Sequence, residues 1–270
     1  MLHLLKKVHN DILTAISDIG LVREKNEDCA ITLKHPDNKN IKLLAVADGV
    51  GGCSKGEFAS NFVIKSLEYW FIHEKINTFN STVITAQKLY KTIININNIL
   101  YSHEYNKSKC GTTLTCAIVT NKDTIIANIG DSRAYAIINN EIKQLTKDDS
   151  IVWYYYEQGK LTKDELRFHC QNSLITKCIG HAYNTKPTIL KLNNNIYSGL
   201  LLLTDGVTDC LSDEKIKFIV DKNNSKDIAQ KIINEAVYNK QNDTIPKGIQ
   251  FNNIRNGKDN ATVAVYMKNA

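Results

Sequence analysis

The run Leu43-Leu44-Ala45-Val46-Ala47-Asp48-Gly49 joins an apolar segment of strand length directly to a carboxylate. Apolar runs of this length, bounded by turn-forming residues, predict buried strands. Each such junction therefore places a carboxylate at the edge of a core, and the pair Glu27-Asp28 adds two acids at the head of another predicted strand. Three further apolar runs carry an aspartate at one end: Ala127-Asn128-Ile129-Gly130-Asp131, Leu201-Leu202-Leu203-Thr204-Asp205 and Asp259-Asn260-Ala261-Thr262-Val263.

Strands and paired helices around these junctions predict an α+β architecture. Runs of strands without a regular β-α alternation favour antiparallel sheets with helices packed outside. Because no linker divides residues 1–270, we interpret the chain as a single domain. Predicted strands cover 12–19, 27–33, 41–47, 112–120, 124–130, 134–138, 141–145, 188–192, 199–204 and 261–267. Predicted helices start near 56 and cover 81–105, 148–169, 212–220 and 225–239.

Local signals support several of these boundaries. Ser54 and Glu57 have the spacing of a capping box, which predicts the start of the first helix near Gly56. The dipeptide Asn139-Asn140 predicts a tight hairpin, because Asn tolerates a positive φ. Gly159 interrupts the pattern of the helix predicted over 148–169.

Composition excludes several classes of protein. An apolar content of 43% with 23% charged residues is typical of a globular chain, and no apolar run approaches the roughly 20 residues that span a bilayer. Residues 1–10 lack the apolar core of a signal peptide, so we expect a cytoplasmic protein. The net charge of +6 comes from interspersed residues, which does not indicate nucleic-acid binding. Seven scattered cysteines predict reduced thiols, and a zinc site at His169, Cys170 and Cys178 fits no standard spacing.

Convergence of the strand-end acids would favour divalent cations. If Asp28, Asp48, Asp205 and Asp259 meet, each pair of charges about 4 Å apart repels by about 4 kcal/mol at an effective dielectric near 20. Protonation or bound cations must cancel that repulsion. Oxygen ligands without His or thiolate favour Mg²⁺ or Mn²⁺ over zinc, and two such ions would lower the pKa of a shared water toward neutrality.

Two simpler interpretations of the Asp-Gly and Gly-rich segments compete with a metal site. Asp-Gly between strands is most often a hairpin turn, although helical spacing follows both Asp48-Gly49 and Asp205-Gly206. Gly51 to Gly56 has the spacing of a phosphate-binding P-loop, but Glu57 and Phe58 stand where Lys and Ser or Thr are required. Nucleotide hydrolysis is therefore disfavoured.

Two side chains near the acids carry their own hypotheses. Arg23 lies five residues before Asp28, and a guanidinium there could clamp phosphate oxygens bidentately; a solvated surface Arg is the alternative. Cys53 in the Gly-rich segment could respond to oxidants if the cations stabilise its thiolate. An ordinary loop residue is the simpler interpretation of Cys53.

Seven motifs in a fixed order resemble the protein phosphatase 2C (PPM) family in its compact bacterial form. The resemblance extends from about residue 12 to 266. The motifs are Ser17-Asp18-Ile19-Gly20-x-x-Arg23-x-x-Asn26-Glu27-Asp28, Ala47-Asp48-Gly49-Val50-Gly51-Gly52, Gly111-Thr112-Thr113, Gly130-Asp131-Ser132-Arg133-x-Tyr135, Gln144-Leu145-Thr146-x-Asp148, Thr204-Asp205-Gly206-Val207-Thr208-Asp209 and Asp259-Asn260-x-Thr262.

The resemblance implies a central β-sandwich of two antiparallel sheets flanked by helix pairs, with two Mn²⁺ or Mg²⁺ ions in a cleft at one end. It implies that Asp48 bridges both ions and that Gly49 binds through its carbonyl. Asp205 and Asp259 would complete the shell of one ion, and Glu27 would hold a water of the other.

Further roles implied by the resemblance surround this pair of ions. Asp28 would lie close to the metals, and Arg23 would bind the substrate phosphate. Asp131 and Asp209 match positions linked to a third, weaker ion, and the segment at about 148–180 resembles a mobile flap beside the cleft.

The chain departs from the family pattern at two positions. Some relatives have a His directly after Asp-Gly as a general acid, where this chain has Val50, so a metal-bound water is the expected proton donor. Asp149 stands where a His commonly follows Leu-Thr-x-Asp.

The resemblance implies a protein serine/threonine phosphatase that acts on phosphoproteins, namely the products of a serine/threonine kinase. We expect a monomer, although the sequence itself does not specify the oligomeric state. A catalytically silent phosphoprotein-binding module of the same fold is the alternative.

Overall fold

Eleven strands form two antiparallel β-sheets in a computed structural model of the chain, which describes residues 11–50, 55–103, 110–239 and 257–268. The first sheet has the strand order β1-β11-β10-β7-β8, and the second has the order β2-β3-β5-β6-β9, with β4 paired to the end of β3. The strands are β1 (Ile12–Asp18), β2 (Asp28–Lys34), β3 (Lys42–Val50), β4 (Gly111–Thr112), β5 (Leu114–Val119), β6 (Asp123–Ile129), β7 (Arg133–Ile138), β8 (Glu141–Gln144), β9 (Thr188–Asn193), β10 (Gly199–Leu203) and β11 (Ala261–Met267).

The described residues form six α-helices, and four of them cover the outer faces of the two sheets. Their bounds are α1 (Gly56–His73), α2 (Thr82–Ser102), α3 (Ile151–Glu157), α4 (Asp205–Thr208), α5 (Asp213–Lys222) and α6 (Ile228–Val237). One apolar cluster joins α1 and α2 to the second sheet, and another joins α5 and α6 to the first. A third cluster, which includes Leu44 and Leu202, fills the space between the sheets. The layers therefore follow the order α-β-β-α, and this part of the prediction is confirmed.

Several predicted boundaries agree with the structure. The last strand spans Ala261–Met267 as predicted, and helix α1 begins at Gly56. Asn139 and Asn140 have φ values of 51° and 62°, and they join β7 to β8 as the predicted tight turn. Ser54, Cys53 and most of the polar segment predicted after residue 240 lie outside the described residues.

The long helix predicted for residues 148–169 is wrong, because only Ile151–Glu157 is α-helical. Gly159 ends it in the left-handed conformation at φ 69°, while the Gln158 amide donates to the Tyr154 carbonyl oxygen. Left-handed glycine is the usual helix stop. The helix predicted for 225–239 also starts late, at Ile228. Across the described ranges, no helix combines the length and apolar character that a membrane crossing requires.

Candidate functional site

One cavity of about 210 Å³ collects most of the predicted site residues. It lies where β3, β6 and β10 end and where β2 and β11 begin, so antiparallel pairing brings distant chain segments to one edge. Its walls are formed by Arg23, Glu27, Asp48, Gly49, Val50, Asp131, Ser173, Ile175, Asp205, Asp259 and Asn260.

Asp28 lies directly beside this cavity. It is the cross-strand partner of Asp48 in the β2–β3 ladder, and it is only 7% exposed. Its Oδ2 atom accepts a hydrogen bond of 2.8 Å from the Thr204 hydroxyl. Its Oδ1 atom is buried without a hydrogen-bond partner among the described residues. Two carboxyls at directly opposed strand positions repel each other, so this register needs a compensating charge.

The end of β3 is held by backbone hydrogen bonds. The Thr113 amide donates to the Asp48 carbonyl at 2.8 Å, and the Thr113 hydroxyl accepts from the Asp48 amide at 3.0 Å. The Gly49 amide donates to the Glu27 carbonyl at 3.1 Å. A Cβ atom on Gly49 would lie 2.4 Å from the Gly56 backbone, so only glycine allows β3 and α1 to approach this closely.

Asn260 ties the loop before β2 to the start of β11. Its side-chain oxygen accepts from the Glu27 amide at 2.8 Å, and its amide donates to the carbonyls of Ile19 and Lys25, each at 2.9 Å. These bonds hold Glu27 next to Asp259 across more than 230 residues of chain. Sequence reasoning assigned no role to Asn260; its place in the Asp259-Asn260 motif is the only signal.

Arg23 and Asp259 form an ion pair at the mouth of the cavity. The Arg23 Nη2 atom donates to Asp259 Oδ2 at 2.9 Å, and this contact raises the pKa of Arg23. The Arg23 side chain is 50% exposed, so the pair is only partly withdrawn from water. Exposed ion pairs contribute about 0–1 kcal/mol to stability, so Arg23 can leave Asp259 for another anionic group at little cost in free energy.

Burial and mutual repulsion raise the pKa of four carboxyls in the cluster. Burial is the largest cause for each, and it raises the pKa of Asp28 to about 7. For Asp48 the charges of Asp205 and Asp28 add to the burial, and its pKa lies well above the usual range. The charge of Asp205 likewise raises the pKa of Asp131, and the charge of Asp259 raises the pKa of Asp205. The cluster therefore resists carrying its full negative charge without cations.

Asp209 does not line this cavity. It borders a much smaller cavity beside it, together with Asp131 and Asp205, and its charge contributes to the raised pKa of Asp131. The Asn172 side-chain amide donates to Asp209 Oδ2 at 2.5 Å. The Oδ1 atom of Asn172 is buried without a hydrogen-bond partner in the described residues.

Residues 148–180 form one wall of the cavity through Ser173 and Ile175, which the sequence analysis did not single out. Asp149, the departure from the family pattern, anchors this segment. Its carboxylate accepts from the Gly130 amide at 3.1 Å and pairs with Lys177 at 2.8 Å. It thereby joins the segment to the turn that carries Asp131.

The donor atoms suit hard divalent cations. Five carboxylates and no His or Cys are among the described residues that line the cavity, and Asp205 Oδ1, like Asp28 Oδ1, is buried without a described hydrogen-bond partner. These are the ligands that Mg²⁺ and Mn²⁺ prefer. In the described ranges no three acidic, His or Cys side chains already have the spacing of a completed ion cage. Binding would therefore require small movements, including release of Asp259 by Arg23.

Comparison with known proteins identifies the family. The model of the family described as protein phosphatase 2C matches residues 14–152. The serine/threonine protein phosphatase PstP of Mycobacterium tuberculosis is 34% identical over 203 residues, which are 75% of this chain and 37% of that protein. The chain thus spans little more than a third of the length of this curated relative.

Solved structures agree over nearly the whole chain. Serine/threonine phosphatase Stp1 from Staphylococcus aureus has a TM-score of 0.83 at 32% identity, covering 96% of this chain and 95% of that one. The catalytic domain of PstP in complex with two manganese ions has a TM-score of 0.74 at 28% identity, covering 95% and 97%.

Proposed function

The chain belongs to the protein phosphatase 2C family, and from that premise we propose that it is a metal-dependent phosphatase of phosphoserine and phosphothreonine in proteins. The observation that carries the proposal is the convergence of carboxylates from five separate chain segments on one cavity. Buried acids that repel each other and lack enough cationic partners destabilise the folded protein unless cations bind. Substrates would be the phosphoproteins made by a serine/threonine kinase.

The acids of the cavity would hold two Mn²⁺ or Mg²⁺ ions. Asp48 lies opposite Asp28 in the β2–β3 ladder, and the charges of Asp205 and Asp28 both raise its pKa, which suits a carboxylate shared by both ions. Asp259 and the Gly49 carbonyl would complete the ligand set, with Glu27 at the cavity wall. Bound there, the ions would supply an activated water and neutralise charge on the phosphate. A third, weaker ion would use Asp131 and Asp209.

Arg23 would bind the phosphate of the substrate. Its guanidinium lies at the cavity mouth on Asp259, and a phosphate offers the bidentate acceptor geometry that arginine prefers. If Asp259 served as a ligand of a cation, Arg23 would lose this partner and its guanidinium would be available to the phosphate oxygens. The same residue pair would thereby couple metal binding to substrate binding.

Val50 leaves the cavity without a protonating side chain at that position. Protonation of the leaving serine or threonine oxygen must then come from solvent or from a water of the site. We propose that residues 148–180 act as the flap, since Ser173 and Ile175 of this segment form part of the wall of the acid cavity.

A phosphatase assay tests the proposal. The purified chain should hydrolyse a phosphothreonine peptide with Mn²⁺ and should lose that activity in excess chelator. Asp205→Asn should lower kcat/KM on the order of a hundredfold, because one ligand is lost. The matched control is Asp221→Asn, an exposed aspartate on α5 whose ion pair in the described part of the chain is with Lys217. Full activity in chelator would refute the metal mechanism, whereas peptide binding without turnover would favour the silent module.

A further inference from the structure

A second cavity of about 760 Å³ runs between α1 and α2 on the outer side of the helix layer. Aromatic and aliphatic side chains form most of its walls, and several of them face solvent. Tyr69 is 67% exposed, Ile99 is 46% exposed and Phe58 is 42% exposed. Contiguous apolar surface of this kind marks a binding site more often than a surface left to solvent. We call this feature the α1–α2 groove.

The two walls of the groove are antiparallel helices. The Phe58 ring at the start of α1 lies 6.1 Å from the His103 ring just after α2. At the opposite end, Lys88 near the start of α2 pairs at 3.5 Å with Glu74, which follows α1. Such a pair presents parallel ridges with a furrow between them, the geometry that accepts a third helix.

Charge in the groove has one sign. Lys65 on α1 and Lys91 on α2 line it, and none of the described residues that line it is acidic. Neither lysine forms a hydrogen bond or ion pair within the described residues, whereas the neighbouring Lys88 is paired with Glu74. A partner with carboxylates beside its apolar side chains would complement both features at once.

The groove begins next to the acid cavity. Gly56, the first residue of α1, packs so closely that a Cβ atom there would lie 2.9 Å from both the Glu27 side chain and the Gly49 backbone. Phe58 follows two residues later and opens the groove, which extends to Tyr69, a rise of about 16 Å along the helix. The Phe58 end of the groove therefore lies two residues along α1 from a glycine that packs against Glu27 and Gly49 of the acid cavity.

We propose that the α1–α2 groove docks an amphipathic, acidic helix of the phosphoprotein substrate, which delivers the phosphorylated residue to the acid cavity. This proposal rests on the proposed phosphatase function. Apolar side chains at i, i+3 or i+4, and i+7 would enter the furrow. Carboxylates on the flanks of that stripe would meet Lys65 and Lys91.

Binding is tested with synthetic helical peptides that carry Leu at i, i+3 and i+7, flanked either by Glu or by Lys. Trp70 lines the groove, and the chain has two tryptophans, so Trp153→Phe leaves Trp70 as the sole tryptophan, which excitation at the red edge of the absorption band selects over the tyrosines. The Glu peptide should change Trp70 fluorescence saturably and bind more tightly than the Lys peptide. In that background, Lys65→Glu with Lys91→Glu should weaken the Glu peptide about tenfold, which is about 1.4 kcal/mol, and should reverse the preference.

The matched control is Lys226→Glu with Lys231→Glu, two exposed lysines in the helix layer on the opposite sheet. It makes the same change in net charge away from the groove and should leave both peptides unaffected. Equal effects of the two double variants would overturn the proposal, and so would an unresponsive Trp70. A dimer that the Lys65 and Lys91 variant dissociates would also overturn it, because the groove would then bind a second copy.

Kinetics separate docking from chemistry. A phosphothreonine peptide joined to the Glu helix by a Gly/Ser linker should have a KM about tenfold below that of the unlinked phosphopeptide, with kcat unchanged. The groove variant should remove this advantage and leave p-nitrophenyl phosphate hydrolysis intact. If the linked helix gives no advantage while p-nitrophenyl phosphate is hydrolysed, docking is refuted alone. Absence of all hydrolysis would refute the phosphatase function, and the fluorescence titration would still test the groove.

Discussion

Replacing Asp28 by Asn is expected to stabilise the metal-free protein by an amount that grows as the pH rises. Burial beside Asp205 and Asp259 raises the pKa of Asp28 from 3.8 to about 7 in the folded state. Because the folded pKa exceeds the unfolded one, the contribution of Asp28 to stability is complete below about pH 4. It is then lost as the pH rises through about 7.

The magnitude follows from the same shift. Each pKa unit corresponds to 1.36 kcal/mol, so complete ionisation of Asp28 lowers the free energy of unfolding by about 4 kcal/mol. About 2 kcal/mol of that loss falls between pH 5.5 and pH 8. Asn retains an oxygen that can accept from the Thr204 hydroxyl, so the substitution removes the charge and keeps that bond. For a chain of this size, 2 kcal/mol shifts Tm by about 4–8 °C.

The assay is thermal unfolding of wild type and Asp28→Asn in chelator at pH 5.5 and pH 8, with Asp221→Asn as the exposed control. The Tm advantage of Asp28→Asn should be larger at pH 8, and saturating Mn²⁺ should remove it, because the cations neutralise the same charges. An advantage that stays constant between the two pH values would refute the assignment of a repulsive, partly protonated acid cluster.

Three further changes probe the site and its support. Arg23→Lys should raise KM for a phosphopeptide roughly tenfold with a small change in kcat, because lysine cannot bind phosphate bidentately; steady-state kinetics measure the ratio. Asp148→Ala should lower the free energy of unfolding by about 3–5 kcal/mol, because it leaves the buried Arg133 without its ion-pair partner. Urea titration measures this loss, and a double variant with Arg133→Met should recover much of it. Ser212→Ala should cost about 1 kcal/mol in the same titration, because its hydroxyl caps α5 by accepting from the Lys215 amide.

The strand ends could be predicted from the sequence because the pattern that marks them lies in neighbouring residues. An apolar run that meets an aspartate predicts both a buried strand and its exposed end, and Asp48, Asp205 and Asp259 lie accordingly at one edge of the sandwich. The Asn139-Asn140 turn is equally local, since its positive φ values belong to the residues themselves.

The remaining features depend on contacts between distant segments. Nothing in the residues near Asp28 specifies that β2 pairs with β3 in the register that sets it opposite Asp48. The helix predicted over 148–169 is the exception, since it fails for a local reason, the left-handed Gly159 that ends it. The partner of Arg23, Asp259, lies 236 residues away. Long-range pairing of this kind overrides local periodicity.

Anomalous scattering from crystals grown with Mn²⁺ tests most directly whether the convergent carboxylates hold cations. Two manganese peaks should lie in the cavity between Asp48, Asp205 and Asp259, with the Arg23 guanidinium moved off Asp259. Asp205→Asn crystals should lose at least one peak. Crystals that bind manganese elsewhere, or that leave the Arg23–Asp259 pair intact at saturating Mn²⁺, would contradict the proposed metal centre.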